Sequence, residues 1–365
     1  MTRLETLLDP GCDLTRDDLV YLLSLSGKDD VERLFRRAYE VKLEYVGNKV
    51  FFRGIIEFSN ICGKDCFYCG IRKSNKNVDR YQMSEEEILE GARFAFESNY
   101  ASVVLQSGER KDRAFTSFVE RILKGIKEMS GGKLGITLSL GEQSEETYRR
   151  WFEAGAHRYL LRIETSNEEL YGRLHPRDHS FRARLECLEI LKKLGYQVGT
   201  GVMIGLPGQT MEDLAQDILF FEKMDVAMVG MGPYLVHKDT PLSSEVEDFD
   251  AIKERQLDLA LKMIAVTRLY LKDVNIASTT ALQALTPTGR EMGLKAGANI
   301  IMPNITITRY RSSYQLYDDK PCLDENASFC RACLEQRIET VGETIGYGEW
   351  GDSPHFRKKG AAKSP

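Results

Sequence analysis

The sequence predicts an α/β protein built as a (β/α)8 TIM-type barrel with an N-terminal helical cap. Eight short apolar runs rich in β-branched residues alternate with amphipathic helical patterns, and eight strand-helix units is the number that such a barrel uses. A cysteine-rich loop follows the first of these runs, at the strand end where barrel enzymes carry their chemistry. A doubly wound open sheet remains the alternative, because alternation alone cannot show that a sheet closes.

Two helices are predicted before the first strand, over residues 15–25 and 29–45. Thr15 can cap the first helix, and apolar residues repeat at helical spacing in the second. The eight predicted strands begin at Phe51, Ala101, Leu134, His157, Gln197, Val226, Asn275 and Ala298. The main helical patterns between them begin at residues 84, 145, 181, 211 and 252. We therefore expect an N-terminal helical extension (1–49), a barrel (50–345) and a C-terminal tail (346–365) whose end, RKKGAAKSP, is disordered.

Composition narrows the class of protein. The chain has 365 residues, 42% of them hydrophobic, which is enough for a large core. The net charge of −5 offers nucleic acid no broad basic surface. Charged residues interrupt every apolar stretch near the start, so we expect no secretory signal and no membrane partner, and a cytoplasmic location. Eight cysteines in such a chain favour metal binding or reduced thiols over disulfides.

Three cysteines have the spacing CxxxCxxC in ICGKDCFYCG, namely Cys62, Cys66 and Cys69. A [4Fe–4S] cluster takes one soft thiolate per iron, so three thiols would leave one iron open to another ligand. Structural zinc sites usually have four protein ligands, commonly from paired CxxC units. Zinc, or thiols without metal, is therefore the less favoured interpretation of this loop.

This spacing resembles the signature of the radical S-adenosylmethionine (SAM) family. The resemblance implies that the open iron binds the amino and carboxylate groups of SAM, and that an electron from the cluster cleaves SAM to a 5'-deoxyadenosyl radical. Such a cluster would be labile in oxygen, so anaerobic function is implied. Tyr68, just before the third thiol, corresponds to an aromatic residue that the family places against the adenine.

The same resemblance assigns further SAM contacts at the ends of later strands. It places a turn of the type Ser107-Gly108-Glu109 near the SAM amine, a carboxylate on the ribose, an arginine on the methionine carboxylate, and apolar residues beside the adenine. The carboxylate corresponds to Glu164, the arginine to Arg184, and the apolar residues to Met203 and Ile204. Each of these also has a plain structural interpretation, as a strand-ending turn, an ion pair or a packed strand. Arg162 has no assigned role.

Over residues 50–345 the chain resembles, within that family, the [FeFe]-hydrogenase maturases called HydE. The strings that carry the resemblance include FFRGIIEFSN, TLSLGE, GLPGQT, GPYLVHKDTPL, STTAL and GANIIMPN. One departure is Ile163, where the HydE pattern has a histidine. The resemblance implies a radical SAM enzyme that helps to assemble the diiron site of the hydrogenase. Its substrate would be an iron carbonyl cyanide cysteine unit made by HydG, with HydF as scaffold and with transient contacts to both.

Two further residue sets are candidates. Substrate contacts are expected at Thr279, Thr280, Arg309, Tyr310 and Tyr314. A second thiol set, Cys322, Cys330 and Cys333, resembles an accessory iron–sulfur site of some HydE proteins, and free thiols are the alternative. His175 and His179 flank Pro176 in RLHPRDH, which predicts a loop and no metal site.

Three kinds of function remain open from the sequence. The first is the maturase. The second is another radical SAM reaction, such as that of a methylornithine synthase (PylB) or of biotin synthase. The third is a non-catalytic iron–sulfur protein that transfers electrons, which would need no SAM pocket.

Overall fold

The computed structural model of the protein describes residues 2–246 and 248–362, and its strands are short and mostly parallel. In chain order they are β1 (Lys49–Phe52), β2 (Gly54–Ser59), β3 (Ser102–Ser107), β4 (Gly135–Ser139), β5 (Arg158–Leu160), β6 (Gln197–Thr200), β7 (Met203–Ile204), β8 (Met228–Val229), β9 (Gly232–Pro233), β10 (Asn275–Ile276), β11 (Ile300–Ile301) and β12 (Thr344–Ile345).

The helices surround these strands and also precede and follow them. They are α1 (Arg3–Leu7), α2 (Arg16–Leu23), α3 (Lys28–Tyr45), α4 (Glu85–Glu97), α5 (Arg113–Met129), α6 (Glu145–Glu153), α7 (Glu168–Leu174), α8 (Phe181–Lys193), α9 (Met211–Met224), α10 (Phe249–Leu271), α11 (Thr280–Leu285), α12 (Gly289–Lys295), α13 (Thr308–Arg311), α14 (Ala327–Thr340) and α15 (Pro354–Ala362). None of these described helices is both long enough and apolar enough to cross a membrane.

The sheet closes on itself, which confirms the barrel and excludes the open doubly wound sheet. Seven strands pair in the order β10-β8-β6-β5-β4-β3-β2, and β11 pairs with β1, which precedes β2 in the chain. A parallel bridge between Ala277 and Ile300 joins the end of β10 to β11, and the Ser278 amide donates to the Ile300 carbonyl at 2.8 Å. β1 and β2, separated only by Arg53, together form one strand of the barrel, which gives eight barrel strands. Because these eight are parallel, their carboxyl ends meet at one rim.

Two predicted strands are each interrupted near the middle. The run beginning at Gln197 forms β6 and β7, and the run beginning at Val226 forms β8 and β9. At the interruption Gly201 lies against Gly230, so close that a Cβ on Gly201 would be 2.0 Å from the Gly230 carbonyl oxygen. Only glycine allows this backbone approach. The second halves, β7 and β9, pair with each other and extend the rim over the cavity described below.

The N-terminal extension packs on the outside of the barrel, as the helical spacing predicts. Thr15 caps α2 by accepting a hydrogen bond from the Asp18 amide, and α2 and α3 both contact α10. The apolar face of α3 is buried, and Lys42 on this helix forms a 2.7 Å ion pair with Glu343 in which both side chains are fully buried. The short helix α1 was not predicted, because its five residues contain too few apolar positions to show a period.

The predicted C-terminal tail is ordered over most of its length. Gly351 accepts hydrogen bonds from Arg53 (3.1 Å) and Asn275 (2.8 Å), so this segment covers the amino ends of the strands. The prediction that RKKGAAKSP is disordered is wrong for residues 357–362, which belong to α15. Residues 363–365 lie outside the described residues. Charge explains the docking of α15, because Lys358 pairs with Asp273 and Lys359 pairs with Asp225.

His355 is the centre of this docking and should make it depend on pH. Its imidazole bridges Asp273 (3.1 Å) and Asp225 (2.9 Å). The hydrogen bond to Asp273 is the largest of the effects that raise the pKa of His355 above 6.5. A raised pKa in the folded protein means that the stabilisation is full below pH 6.5 and is lost as pH rises through the raised value. Burial opposes the ionisation of both aspartates, but Lys359 and His355 lower the pKa of Asp225 to about 2, and His355 and Lys358 lower the pKa of Asp273 to about 2.

We therefore expect His355→Gln to lower the melting temperature at pH 6 and to have less effect at pH 9. The measurement is thermal unfolding of both proteins in reducing buffer at the two pH values. A difference between the proteins that does not change with pH would show that His355 is not charged in the folded state.

Candidate cofactor and substrate site

A cavity of about 360 Å³ opens at the rim formed by the carboxyl ends of the strands. It gathers residues from most of the chain, because each strand delivers its following loop to this rim. The predicted site residues that line it are Cys62, Cys66, Tyr68, Cys69, Ser107, Gly108, Glu109, Glu164, Arg184, Met203, Thr279, Thr280, Tyr314 and Cys322.

The three thiols of the first loop suit an iron–sulfur cluster better than a single ion. Among the described residues, their sulfur atoms do not all lie within 4.8 Å of one another, whereas ligands of one tetrahedral zinc lie within about 4 Å. In a cluster each thiolate binds a different iron, so a wider spacing is required. Burial raises the pKa of Cys66 to about 12, and a bound metal would supply the positive charge that a thiolate needs there.

The turn after β3 lies directly against the cysteine loop. A Cβ on Gly108 would be 2.5 Å from the Ile61 carbonyl oxygen and 2.7 Å from the Cys62 Cβ, so only glycine fits there. The Glu109 carbonyl accepts a hydrogen bond from the Gly63 amide at 2.7 Å, and the Glu109 amide donates to the Cys62 sulfur at 3.3 Å. This turn is therefore one of the supports of the loop, and the Glu109 carbonyl is already engaged.

Glu142, which follows β4, was not among the predicted site residues, yet it links the cysteine loop to Arg184. Its carboxylate accepts from Arg184 Nε at 2.7 Å and from Lys64 Nζ at 2.9 Å, and it is only 5% exposed. Burial opposes its ionisation, but Arg184 and Lys64 outweigh that effect and lower the pKa of Glu142 to about 2. No local pattern indicates this pairing, because the partners lie far apart in the chain.

Arg184 has one nitrogen left for a ligand. Nε binds Glu142, and Nη1 donates to the Arg162 carbonyl at 2.7 Å. Nη2 has no hydrogen-bond partner within the part of the chain that the structure describes. Because its other two nitrogens are fixed, the guanidinium is held rigidly at the cavity wall.

The backbone of Glu164 is in the left-handed region, with φ of 69°, which is uncommon for residues other than glycine. Its Oε2 lies 3.0 Å from Nη2 of Arg162, but this Nη2 donates its hydrogen bond to the Val202 carbonyl at 2.8 Å. Glu164 Oε2 consequently has an ionic neighbour but no hydrogen bond from any described residue. A buried carboxylate oxygen in this state is a ready acceptor for hydroxyl groups of a ligand.

Residues 175–179 of the RLHPRDH segment form a loop after α7, as predicted, and this loop supports the cysteine loop. The Asp65 amide donates to His179 Nε2 at 2.9 Å, and His175 Nε2 lies 3.5 Å from the Tyr68 hydroxyl. The Tyr68 and His175 rings meet edge to face, 5.5 Å between centroids. The segment thus fixes the orientation of the aromatic residue at the cavity.

The structure corrects three side-chain placements. Ile204 does not line the cavity, because neighbouring residues of β7 face opposite ways: Met203 faces the cavity and Ile204 the core. Arg309 and Tyr310 do not line it either. Both contact Glu87 on the outer side of the rim, and Arg309 is 65% exposed. Tyr314, four residues further along, does line the cavity, where Gln106 donates to its hydroxyl at 3.2 Å.

The C-terminal thiols are only partly gathered. Cys322, Cys330 and Glu325 have ligand atoms within 4.8 Å of one another, and Cys333 is not in that group. Cys322 also lines the cavity, whereas Cys330 is a buried residue of α14. Ile163, the position at which the sequence departs from the HydE pattern, is fully buried in the core, so its side chain does not face the cavity.

A closed (β/α)8 barrel with three thiols after its first strand and a ligand cavity beside them defines the class of radical SAM enzymes. Residues 56–221 match the Radical SAM superfamily model. The chain is 47% identical over 339 residues to the [FeFe] hydrogenase maturase subunit HydE of Thermotoga maritima, covering 93% of this chain and 94% of that protein. The chain therefore belongs to the HydE family of radical SAM enzymes, whose cofactors are a [4Fe–4S] cluster and SAM.

Solved structures agree with this fold. The crystal structure of methylornithine synthase (PylB) superposes with a TM-score of 0.79 at 28% identity, covering 95% of this chain and 98% of that one. The X-ray structure of the maturase HydG from Carboxydothermus hydrogenoformans gives a TM-score of 0.80 at 21% identity and covers 97% of this chain and 80% of that one. The HydG likeness is a likeness of fold alone.

Glu142→Gln should destabilise the protein by about 2–4 kcal/mol, because the buried Arg184 and the partly buried Lys64 lose their shared anion. The measurement is the urea-unfolding midpoint of the metal-free protein under reducing conditions. Glu146→Gln, on the exposed face of α6 where Glu146 is 67% exposed, is the matched control and should change stability by less than about 0.5 kcal/mol. Equal effects of the two substitutions would contradict a central role for Glu142.

Proposed function

We propose that the protein acts in assembly of the diiron site of [FeFe] hydrogenase, as a HydE-type maturase whose substrate is an iron carbonyl cyanide cysteine unit. The observation that carries the proposal is the 47% identity to HydE over almost the whole of both chains. The site is consistent with it, since the cavity is large enough for a small molecule and joins the cysteine loop to a polar wall.

We assign Cys62, Cys66 and Cys69 as ligands of the [4Fe–4S] cluster. When bound, the cluster and SAM supply a one-electron cleavage that gives methionine and a 5'-deoxyadenosyl radical. The residues of the chain bind and orient these groups and exclude water. The spacing of the three sulfurs and the tight contact of Gly108 with the loop support the assignment.

We assign three contacts to SAM at the cavity, two from free polar atoms and one from aromatic and apolar surface. Arg184 offers Nη2 for the methionine carboxylate, with the guanidinium held by Glu142. Glu164 Oε2 offers an acceptor for the ribose hydroxyls. Tyr68 and Met203 supply flat and apolar surface for the adenine, with Tyr68 fixed by His175.

The substrate would occupy the wall formed by the segments after β10 and α13. Thr279, Thr280 and Tyr314 line this wall, and the Thr279 hydroxyl is buried with no hydrogen-bond partner among the described residues. Hydroxyl groups of this kind can bind a polar guest without adding charge. HydG would supply the substrate and HydF would receive the product, through transient contacts.

The direct test measures two outputs of the anaerobically reconstituted protein with SAM and a one-electron reductant. The first is 5'-deoxyadenosine, and the second is HydF loaded to a form that activates hydrogenase. We expect both from the native protein when the HydG product is present. Cys62→Ala should abolish both, because the cluster loses a ligand, whereas Cys12→Ala, outside the site, should keep both.

The outcomes separate the candidate functions. Cleavage of SAM without loading of HydF would leave a radical SAM enzyme with another substrate, such as a methylornithine synthase. A cluster that forms but does not bind SAM would indicate an electron-transfer protein, and the maturase proposal would fail.

We also propose that Cys322, Cys330 and Cys333 hold an accessory metal centre that SAM cleavage does not require. Cys322 and Cys330 lie together with Glu325, in a group that includes no residue of the cysteine loop after β2. We expect the triple alanine variant to contain less iron and to form 5'-deoxyadenosine at no less than about half the native rate. Complete loss of cleavage in a folded triple variant would refute this separation.

A further inference from the structure

Arg80, between the cysteine loop and α4, closes the segment that carries the three thiols of the first loop. Its guanidinium donates four hydrogen bonds to backbone carbonyls on the two sides of the CxxxCxxC motif. Nη1 donates to the carbonyls of Asn60 (2.7 Å) and Ile71 (2.8 Å), and Nη2 donates to those of Arg72 (2.6 Å) and Asn75 (3.0 Å). One side chain thus joins the chain before the first thiol to the chain after the third.

The backbone on both sides of Arg80 is held against the start of the same segment. Asn60 is fully buried. Its side chain donates to the Asp79 carbonyl at 2.8 Å and accepts from the Tyr81 amide at 2.8 Å. Arg80 is therefore fixed through its two chain neighbours and through its own side chain, and the planar guanidinium keeps one orientation.

The charge of Arg80 is not cancelled by a carboxylate, since its four hydrogen bonds all go to carbonyls. Lys64 and Arg72 on the same loop differ in this respect, because Lys64 pairs with Glu142 (2.9 Å) and Arg72 pairs with Asp65 (2.8 Å). Carbonyl groups satisfy the hydrogen bonds of a guanidinium without neutralising it, and arginine keeps its proton in proteins. Arg80 therefore brings a half-buried positive charge to the thiols.

A positive charge in this place should favour the reduced state of a bound cluster. A [4Fe–4S] cluster with three thiolates has a net negative charge, which becomes larger when the cluster accepts an electron. Nearby charge and hydrogen bonding are among the factors that set the reduction potential of such a cluster. The carbonyls that Nη1 binds lie only two residues before Cys62 and two residues after Cys69, so the charge acts at close range.

We propose that Arg80 is a positioning residue for the cluster, which holds the two sides of the cysteine loop together and raises the reduction potential through its charge. This inference deepens the proposed function and rests on it, because it requires the cluster assigned to Cys62, Cys66 and Cys69. It gives a residue outside the cysteine motif a part in the one-electron reduction that precedes SAM cleavage.

The reduction potential of the reconstituted cluster tests the role of the charge. Redox titration followed by electron paramagnetic resonance, without oxygen and without SAM, compares native protein, Arg80→Lys and Arg80→Gln. We expect Arg80→Gln to lower the equilibrium constant for one-electron reduction at least about 10-fold, which is about 59 mV. Arg80→Lys keeps the charge and should stay within about 2-fold of the native constant.

Lys73→Gln is the matched control, because it removes a positive charge from the same loop. Lys73 is exposed, so water and salt screen its charge. The equilibrium constant in this variant should stay within about 2-fold of the native value.

Hydrogen exchange of the metal-free protein tests the positioning without the cluster. The amides of Arg72, Lys73 and Asn75 donate within the loop at 2.8–3.1 Å. Neither lysine nor glutamine can bind four carbonyls in the manner of a guanidinium. We therefore expect these amides to exchange at least about 10-fold faster in Arg80→Gln and in Arg80→Lys, and at native rates in Lys73→Gln.

Several outcomes would overturn the proposal. They are a native potential in Arg80→Gln with its cluster intact, an equal shift in Lys73→Gln, and native exchange rates in both Arg80 variants. Loss of the cluster from both Arg80 variants would leave a structural role alone and would also overturn it. Loss from Arg80→Gln alone would support it, because only Arg80→Lys keeps the charge. Native protein that binds no cluster would refute the cluster assignment itself, so the two failures are distinguishable.

Discussion

Four backbone hydrogen bonds hold the cysteine loop at the rim of the barrel, and the rest of the site depends on them. Gly63 donates to Glu109 (2.7 Å), Phe67 donates to Leu174 (2.9 Å) and accepts from Leu242 (3.0 Å), and Gly70 donates to Leu316 (2.9 Å). Leu174 is the last residue of α7, and the other three partners follow β3, β9 and α13. Since these segments meet only in a closed barrel, closure of the sheet fixes the loop. The cysteine loop packs tightly against the segment after α13, because a Cβ on Gly70 would be 2.2 Å from the Gln315 carbonyl oxygen.

Charge pairing organises the cavity on this frame. In a site shielded from water, electrostatic interactions are stronger and unpaired charges cost more. Glu142 satisfies Lys64 and Arg184 together, which ties the loop between Cys62 and Cys66 to the opposite side of the SAM site. The paired cations are fixed in position by the protein. Arg290 has no such partner among the described residues.

Much of this could be predicted from the sequence, for physical reasons that can be named. Strand and helix periods are local, so the barrel and α3 were predicted well, and the cysteine spacing is short enough to identify as a motif. The direction in which side chains point within short elements was harder to predict from the sequence. Met203 and Ile204 differ only in which face of a two-residue strand they occupy, and Arg309 turns outward because Glu87 attracts it. No local pattern in the sequence marks Glu142 or Arg290. Glu142 pairs with residues far along the chain, and Arg290 is distinguished only by the lack of an ionic partner among the described residues.

The proposed chemistry requires that three thiolates of the chain bind a four-iron cluster and leave one iron for SAM. Electron paramagnetic resonance of the reduced cluster, with SAM labelled by nitrogen-15 at the amino group and oxygen-17 at the carboxylate, tests it directly. We expect SAM to change the spectrum and both labels to show hyperfine coupling to the cluster. A spectrum that SAM does not change, or a cluster with four ligands from the protein, would contradict the claim.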